Sequence, residues 1–439
     1  MEEPTVSMLA LRGFALVSTE ELGGELITVI ETTDVVSGCP ECGTVARPKD
    51  RRTVTLRDLP AGGRPVRLAW RKRIWSCPDP DCPKKTWTER SWLAAPRRVL
   101  TERARNEICR RVGEEITSVA EEARHFGVGW HCAWGAVKDV GAELVDDPER
   151  TAGVTQVGVD ETVYLHARRR RRRVLVTGVV DVESGRLLDV FEGREAKDLR
   201  RWMAEMPPEW LAMIEVVSVD PHEGYRSAVV NDNPVTGQPS PWQNVTVVVD
   251  PFHIVRLSNE AVTKCRQRVQ QESLGRRGWK DDPLYRIRRL LLLGAERMDE
   301  RGWERLHEAL KLGDPFDEVS DAWSAKEKTR AVYMTDEPDE AADRLEEAIA
   351  WCSASTVPEV KRLGKTLRRW RCEILAHHQT GASNGPTEAV NLTIKAVKRR
   401  GRGFRNFSNY RLRLLLAAGV TWHTHQTTRI RGRHPRLIA

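Results

Sequence analysis

Apolar and polar residues alternate in short bursts over roughly the first 90 positions. In "TVTLRDLP" and "PVRLAWRKRIWSC" about every second side chain is apolar, the period of a strand with one buried face, and Gly and Pro punctuate the intervals. From 96 to 146 the period lengthens. "RRVLTERARNEICRRVGEEITSVAEEARHF" has apolar positions three and four apart, breaks at "GVG", and is followed by a second helical run, "WHCAWGAVKDVGAELV". Near 154 strands return in "VTQVGVDETVYL", "RVLVTGVVDV" and "RLLDVFEG". The helix "EAKDLRRWMAEM", the strand "IEVVSVD", the helix "EGYRSAVV" and the strand "NVTVVVD" follow, the signature of an α/β domain. Beyond Asp250 the pattern is almost wholly helical, most clearly in "PLYRIRRLLLLGAERMDERGWERLHEALKL" and "EPDEAADRLEEAIAWC".

A chain of 439 residues exceeds one ordinary core, so two to four domains are expected. No stretch approaches the roughly 18 apolar residues of a membrane span, and no export signal is evident, so the expected compartment is the cytoplasm. Lys and Arg outnumber Asp and Glu 71 to 63, a net charge of +8 gathered in runs, which points to a polyanionic partner.

Of nine cysteines, four form two knuckles, Cys39 with Cys42 and Cys77 with Cys82. Four thiolates at this spacing close a tetrahedral zinc site with no open position, so one zinc ion is expected, in a structural role. The segment "ITSVAEEARHFGVGWHCAWGAVKDV" has the length and Gly-bounded break of a helix-turn-helix. Its second helix would enter the major groove, with Trp130, His131 and Lys138 outward and Ala133, Val137 and Val140 packing.

Three carboxylates are candidates for a Mg²⁺ or Mn²⁺ site: Asp160 and Asp220, each closing a run of β-branched residues, and Glu388. Glu388 opens a helix capped by Ser383 or Asn384, with Asn391 and Lys395 one and two turns on. Acid, amide and ammonium on one face suit a phosphodiester lying along the helix, and "KRRGRGFR" prolongs the positive track through Lys398, Arg399, Arg400, Arg402 and Arg405. Six arginines, 168 to 173, lie between two strand patterns, so they belong to a hairpin. Arg169, Arg170, Arg171 and Arg172 are read as contacts to a DNA backbone.

The ordered series of knuckles, helix-turn-helix, "VGVDE", "VVSVDPHEGY", "VVVDPFHIVRLSNEA" and "SNGPTEAVNLTIKAVKRRGRGFRNFSNYRLRLLL" resembles bacterial insertion-sequence transposases of the ISL-three type, which have a DDE core. That resemblance covers nearly the whole chain. It implies a multidomain protein: an α/β ribonuclease-H-like catalytic core with a helical insertion, preceded by a small zinc-binding module and a helix-turn-helix domain. The expected boundaries are 1–92 for the zinc module, 93–150 for the helix-turn-helix domain and 151–256 for the first part of the core. The insertion would occupy 257–376, and the second part of the core, with the Glu388 helix and a basic C-terminal segment, 377–439.

By the same resemblance Asp160, Asp220 and Glu388 are the catalytic triad, holding two Mg²⁺ or Mn²⁺ ions for hydrolysis and strand transfer. Asp250 is the rival second acid and His253 a possible helper; fold analogy favours Asp220. The partners implied are double-stranded DNA, as terminal inverted repeats and target, and further copies of the chain in a homodimer or larger synaptic assembly, associated with the nucleoid. The competing readings are a DNA-binding regulator and a nuclease that cuts without joining.

Overall fold

Two glycine pairs shape the N-terminal sheet. Gly23 and Gly24, and again Gly62 and Gly63, have positive φ (59° and 80°, 57° and 76°), the backbone that a two-residue hairpin turn demands. They join β1 (Phe14–Leu22) to β2 (Glu25–Thr32) and β3 (Arg47–Ala61) to β4 (Arg64–Ser76). The sheet order is β1-β2-β4-β3, with β2 and β4 parallel and the short β5 (Thr86–Thr88) paired to β4. Along β4, Val66, Leu68 and Trp70 turn inward onto a core with Phe14, Ile30 and Leu56. Lys72, next in that alternation, is buried with its Nζ 3.8 Å from the centre of the Trp70 ring.

The computed structural model describes residues 9–167 and 172–422. It resolves into two units, one of residues 1–150 with those from Thr393 onward, the other Thr151–Leu392. In the first unit the helical pattern from 96 to 146 yields three helices: α1 (Glu102–Gly113), α2 (Val119–His125) and α3 (Trp130–Val145). Apolar spacing runs through the break after Gly113, but local chemistry overrides it. Ile116 has a φ of 55°, and Ser118 and Glu121 form a reciprocal capping box that starts a new helix. The buried Asp58 carboxylate accepts from Thr101 and Arg103, both at 2.7 Å, and so ties the start of α1 to β3.

In the second unit β6 (Gln156–Leu165), β7 (Val174–Asp181) and β8 (Leu187–Glu192) form an antiparallel meander. The helices α4 (Ala196–Glu205) and α5 (Pro208–Ala212) lead to β9 (Val216–Val219), and α6 (Glu223–Val230) leads to β10 (Thr246–Val249). β9 lies parallel to β6 and β10 parallel to β9, giving the order β10-β9-β6-β7-β8. β9 is buried along its length and β10 along all but its first residue, which is why both read as continuous apolar runs.

The helices α7 (Pro251–Leu274), α8 (Pro283–Arg286), α9 (Glu300–Gly313), α10 (Glu318–Ala331), α11 (Pro338–Ala354), α12 (Pro358–Arg369) and α13 (Arg371–Thr380) follow. One continuous apolar core joins Val157, Val159 and Val219 of the sheet to Ile254, Val262, Leu345 and Leu363 of these helices. The amphipathic segment from Pro283 does not form a single helix. It breaks at Leu293 and Gly294, and the fully buried Lys326 of α10 donates to the carbonyls of Leu291 and Leu293 (2.9 and 2.7 Å) that the break leaves without helical partners. Two further helices complete the order, α14 (Gly385–Arg400) and α15 (Phe407–Ala418). In the first unit α15 approaches α1 and α3 closely through two glycines: a Cβ on Gly113 or Gly141 would meet Leu416 at 3.2 or 3.0 Å. No described helix is long and apolar enough to cross a membrane.

Candidate functional site

Four thiols meet where two knuckles face each other. A φ of 74° at Gly43 lets the chain turn back, so that the Gly43 N–H donates to the Cys39 carbonyl (3.0 Å) and the Cys39 N–H to that of Thr44 (2.8 Å). The Sγ atoms of Cys39 and Cys82 are 3.7 Å apart, those of Cys42 and Cys77 3.5 Å, and all four lie within 4.8 Å of one another. Tetrahedral zinc with Zn–S bonds of about 2.3 Å requires S···S edges of about 3.8 Å, so the thiols fit that ion. They are chemically unequal. Hydrogen bonding with Thr44 brings Cys42 down to about 7, whereas burial pushes Cys82 up to about 12.

The acids are gathered by strand register. Parallel pairing sets Val159 opposite Val219 and Val219 opposite Val249. The next residues, Asp160, Asp220 and Asp250, therefore stand level on three neighbouring strands, with Asp220 in the middle. Asp160 does not end its strand, as the sequence pattern implied. β6 continues to Leu165 because β7 keeps pairing with it, while its parallel neighbour β9 stops at this level. Opposite Asp160 on β7 is Gly178, so no side chain crowds the carboxylate from that side. Asp160 is 8% exposed, and burial, then the nearby charge of Asp220, pushes its carboxyl up to about 7.

His253, in the first turn of α7, stands between the other two acids. Its Nδ1 is 2.8 Å from Asp220 Oδ1 and 3.2 Å from Asp250 Oδ2. Burial pulls the ring's pKa down, but the two carboxylates outweigh it and raise it to about 9, so the ring is a cation at neutral pH. These contacts are close without being aligned. Asp220 Oδ1, Asp250 Oδ2 and His253 Nδ1 are all buried, and among the described residues none makes a hydrogen bond of good geometry. Asp250 is anchored a second way, its Oδ1 accepting from the Asn384 N–H at 3.0 Å.

The helix α14 closes the site over β6. Asn384, Thr387 and Asn391 recur at i, i+3 and i+7, one face of a helix. Asn391 Nδ2 donates to Asp160 Oδ2 at 2.5 Å. A Cβ on Gly158 would lie 2.5 Å from both Asn384 Oδ1 and Thr387 Oγ1, so glycine at this position is what admits the helix. The roles of Asn384, Thr387 and Gly158 escaped the sequence reading, although the three-and-seven spacing was its legible signal. Asn391, which the sequence pattern places on a DNA-facing helix face, has its amide in that hydrogen bond with Asp160. Glu388 is exposed, one turn before Asn391. Among the described residues the four cysteines are the one group of three or more ligand-type side chains closed up around a common point; Asp160, Asp220 and Glu388 are not so gathered. Carboxylates beside a buried oxygen that lacks a hydrogen bond are nevertheless the donor set that a hard divalent cation requires.

The basic candidates are mostly on the surface. Trp130, His131 and Lys138 are exposed on α3, while Ala133 and Val137 are buried and Val140 partly so. Lys395, Arg399, Arg400, Arg402 and Arg405 are exposed, Lys398 is half-buried, and Arg400 pairs with Glu121 at 3.3 Å. β6 and β7 pair antiparallel from Leu165 and Val174. Arg172 is exposed, whereas Arg169, Arg170 and Arg171 lie outside the described residues.

A sheet with level acids, preceded by a four-cysteine module, is the arrangement of a class, and comparison with known proteins identifies it. The chain belongs to the transposase family of ISL3-type insertion sequences with a DDE core, whose family model matches residues 157–414. A second model, described as the zinc-finger of transposase IS204/IS1001/IS1096/IS1165, matches residues 36–82 and so spans all four cysteines. The chain is 25% identical over 404 residues to the transposase for insertion sequence element IS1001 of Bordetella parapertussis, covering 91% of this chain and 93% of that one. It is 28% identical over 338 residues to the transposase for insertion sequence element IS1557 of Mycobacterium tuberculosis, covering 72% and 70%.

Proposed function

We propose that this transposase binds the terminal inverted repeats of its insertion sequence and cuts and rejoins DNA phosphodiesters, with Asp160, Asp220 and Glu388 as the catalytic carboxylates. The observation that carries this reading is the register setting Asp160 level with Asp220, together with the hydrogen bond from Asn391 to Asp160. An antiparallel meander followed by two parallel strands, with the first acid on the first strand, supports a ribonuclease-H-like core. Asp220 is preferred to Asp250 because it is the immediate neighbour of Asp160. Asp250 lies one strand further and is held by the Asn384 N–H. Glu388 lies one helical turn before Asn391, whose amide holds Asp160, and this supports its assignment as the third acid.

The protein's own groups divide the work. Asn391 fixes one oxygen of Asp160, and His253 holds Asp220 and Asp250 against each other's charge. The exposed Glu388 and Lys395 face incoming DNA. Two Mg²⁺ or Mn²⁺ ions, held by the three carboxylates, would supply activation of water or of a DNA 3′-hydroxyl and stabilisation of the leaving oxygen. One zinc held by Cys39, Cys42, Cys77 and Cys82 would keep the ribbon folded.

Recognition falls to the first unit. There α2 and α3 form the helix-turn-helix, with Trp130 and His131 at the leading end of the helix that enters the major groove and Lys138 further along it. Arg172 and the rest of the hairpin run, with Lys398, Arg399, Arg402 and Arg405, would contact the DNA backbone. Because two ends must be joined together, the working form is a homodimer or larger synaptic assembly at the nucleoid. The proposed division is a zinc module, a helix-turn-helix domain, a split core and a helical insertion, with residues from Thr393 onward grouped in the unit of the first two rather than with the core.

The test is incubation of the full chain with Mg²⁺ and end-labelled DNA carrying the element's termini. Cleavage followed by a joined product is expected. Binding without cleavage would make the chain a regulator, and cleavage without joining a nuclease.

A further inference from the structure

Within the first unit a cavity of about 840 Å³ opens between α2, the start of α3 and the loop that follows α14. Three features of its lining point to a ligand. The rings of Trp130 and Trp134 stack at 5.9 Å between centroids and 27° between planes, and Trp130 keeps 45% of its surface exposed while Trp134 is buried. Arg413 is 3% exposed; its Nη2 donates to the Thr117 carbonyl at 3.0 Å, but its Nε has no hydrogen-bond partner among the described residues. Burial draws this guanidinium's pKa down to about 10, and no carboxylate among the described residues offsets its desolvation.

The loop itself is a built structure. Arg402 sits at a φ of 52° and Gly403 at 101°, a backbone that costs energy at a non-glycine residue. A Cβ on Gly401 would run into the Phe404 ring at 2.7 Å, and the Asn406 side chain caps α15. Glycine, a folded-back Phe404 and a cap thus hold exposed Arg402 and Arg405 at the rim of the cavity.

Given the reading of the chain as a DNA transposase, we infer that this cavity receives a DNA nucleotide out of its stack, the base lying on Trp130 and the phosphate meeting Arg402, Arg405 and Arg413. Bases paired inside a duplex cannot enter a concave site of this kind; an extruded or single-stranded base can, and an aromatic ring stacks on any of the four. Guanidinium forks are the matching partners for its phosphate. The assigned position therefore discriminates frayed or unpaired element ends from continuous duplex.

The test uses the full chain and two DNAs carrying an end of the element, one fully paired and one ending in three unpaired thymidines, with affinity read by fluorescence anisotropy. The wild type is expected to bind the unpaired end about tenfold more tightly, since base–aromatic stacking contributes roughly 1–3 kcal/mol. Trp130→Ala, which also removes a groove contact, should weaken both DNAs but cost the unpaired end about tenfold more and so abolish the preference, and Trp130→Phe should retain most of it. Equal affinity of the wild type for both DNAs overturns the inference, as does an equal loss on both with Trp130→Ala, which would make Trp130 an ordinary groove contact. Binding to neither DNA would overturn the DNA reading as well.

Discussion

The protein gathers two sets of ligand-type side chains by opposite means. The cysteines come together through two turns of a few residues each, and although free of disulfides they already stand at zinc spacing. The acids come together through the register of three strands and a helix that begins 135 residues after Asp250, and they are held there against burial and mutual repulsion. Soft, easily desolvated thiolates can wait for an ion in a small module. Hard carboxylates must be braced by a histidine cation and an amide, here His253 and Asn391.

The largest expected effect tests the thiol site. Cys39→Ser should lower zinc stoichiometry and unfold the ribbon, because a structural zinc contributes on the order of 10 kcal/mol. Calorimetry should show loss of the first unit's transition with that of the second unchanged; a single merged shift would mean that the two sites are energetically one. Since Cys82 is pushed up to about 12, zinc uptake must release protons and weaken as pH falls, which isothermal titration in buffers of different ionisation heat can read.

Next comes the acid site. Asp160→Asn should reduce end cleavage by about three orders of magnitude or more, with end binding unchanged in a mobility-shift assay. Retained cleavage would remove Asp160 from the triad. Asn391→Ala should cost about 10- to 100-fold in cleavage rate, the usual consequence of losing a partner that orients a metal ligand. If only DNA affinity falls, Asn391 belongs to the DNA track after all.

Smaller effects concern packing and charge. Gly158→Ala should cost about 1–3 kcal/mol in unfolding free energy, since the new methyl meets Asn384 and Thr387 at 2.5 Å; Gly129→Ala, with nothing within 4 Å, should shift it by less than about 0.5 kcal/mol. The titration of Asp160 carries the opposite sign. Asp160 titrates near 4 when unfolded and at about 7 when folded, so the folded state holds the extra proton and stability declines as pH rises between those values. In magnesium-free buffer Asp160→Asn should therefore raise the thermal midpoint, more at pH 7.5 than at pH 5; an equal shift at both would show that Asp160 ionises freely in the fold.

The helices and strands were legible where a period was uninterrupted. The pattern placed β6, β9, β10 and α11 closely, yet it ran through the break before Ser118 and through Leu293–Gly294. There a capping box and a buried Lys326 decide the path, and neither leaves a mark on apolar spacing. Candidate site residues were legible as types: carboxylates after β-branched runs, and polar residues at helical spacing. Their partners were not, because Asp160 meets Asn391 across 231 residues.

By itself the sequence determined the thiol module, the alternation of strand and helix, and the ordered motifs that mark an ISL3-type transposase, since each is written in residues a few positions apart. Only the tertiary structure decided that Asp220 rather than Asp250 neighbours Asp160, that Asn391 serves a carboxylate, and that Trp130 and Arg413 share a cavity. Those relations depend on strand register and on segments hundreds of residues apart packing together, and no local pattern of hydrophobicity or charge encodes them.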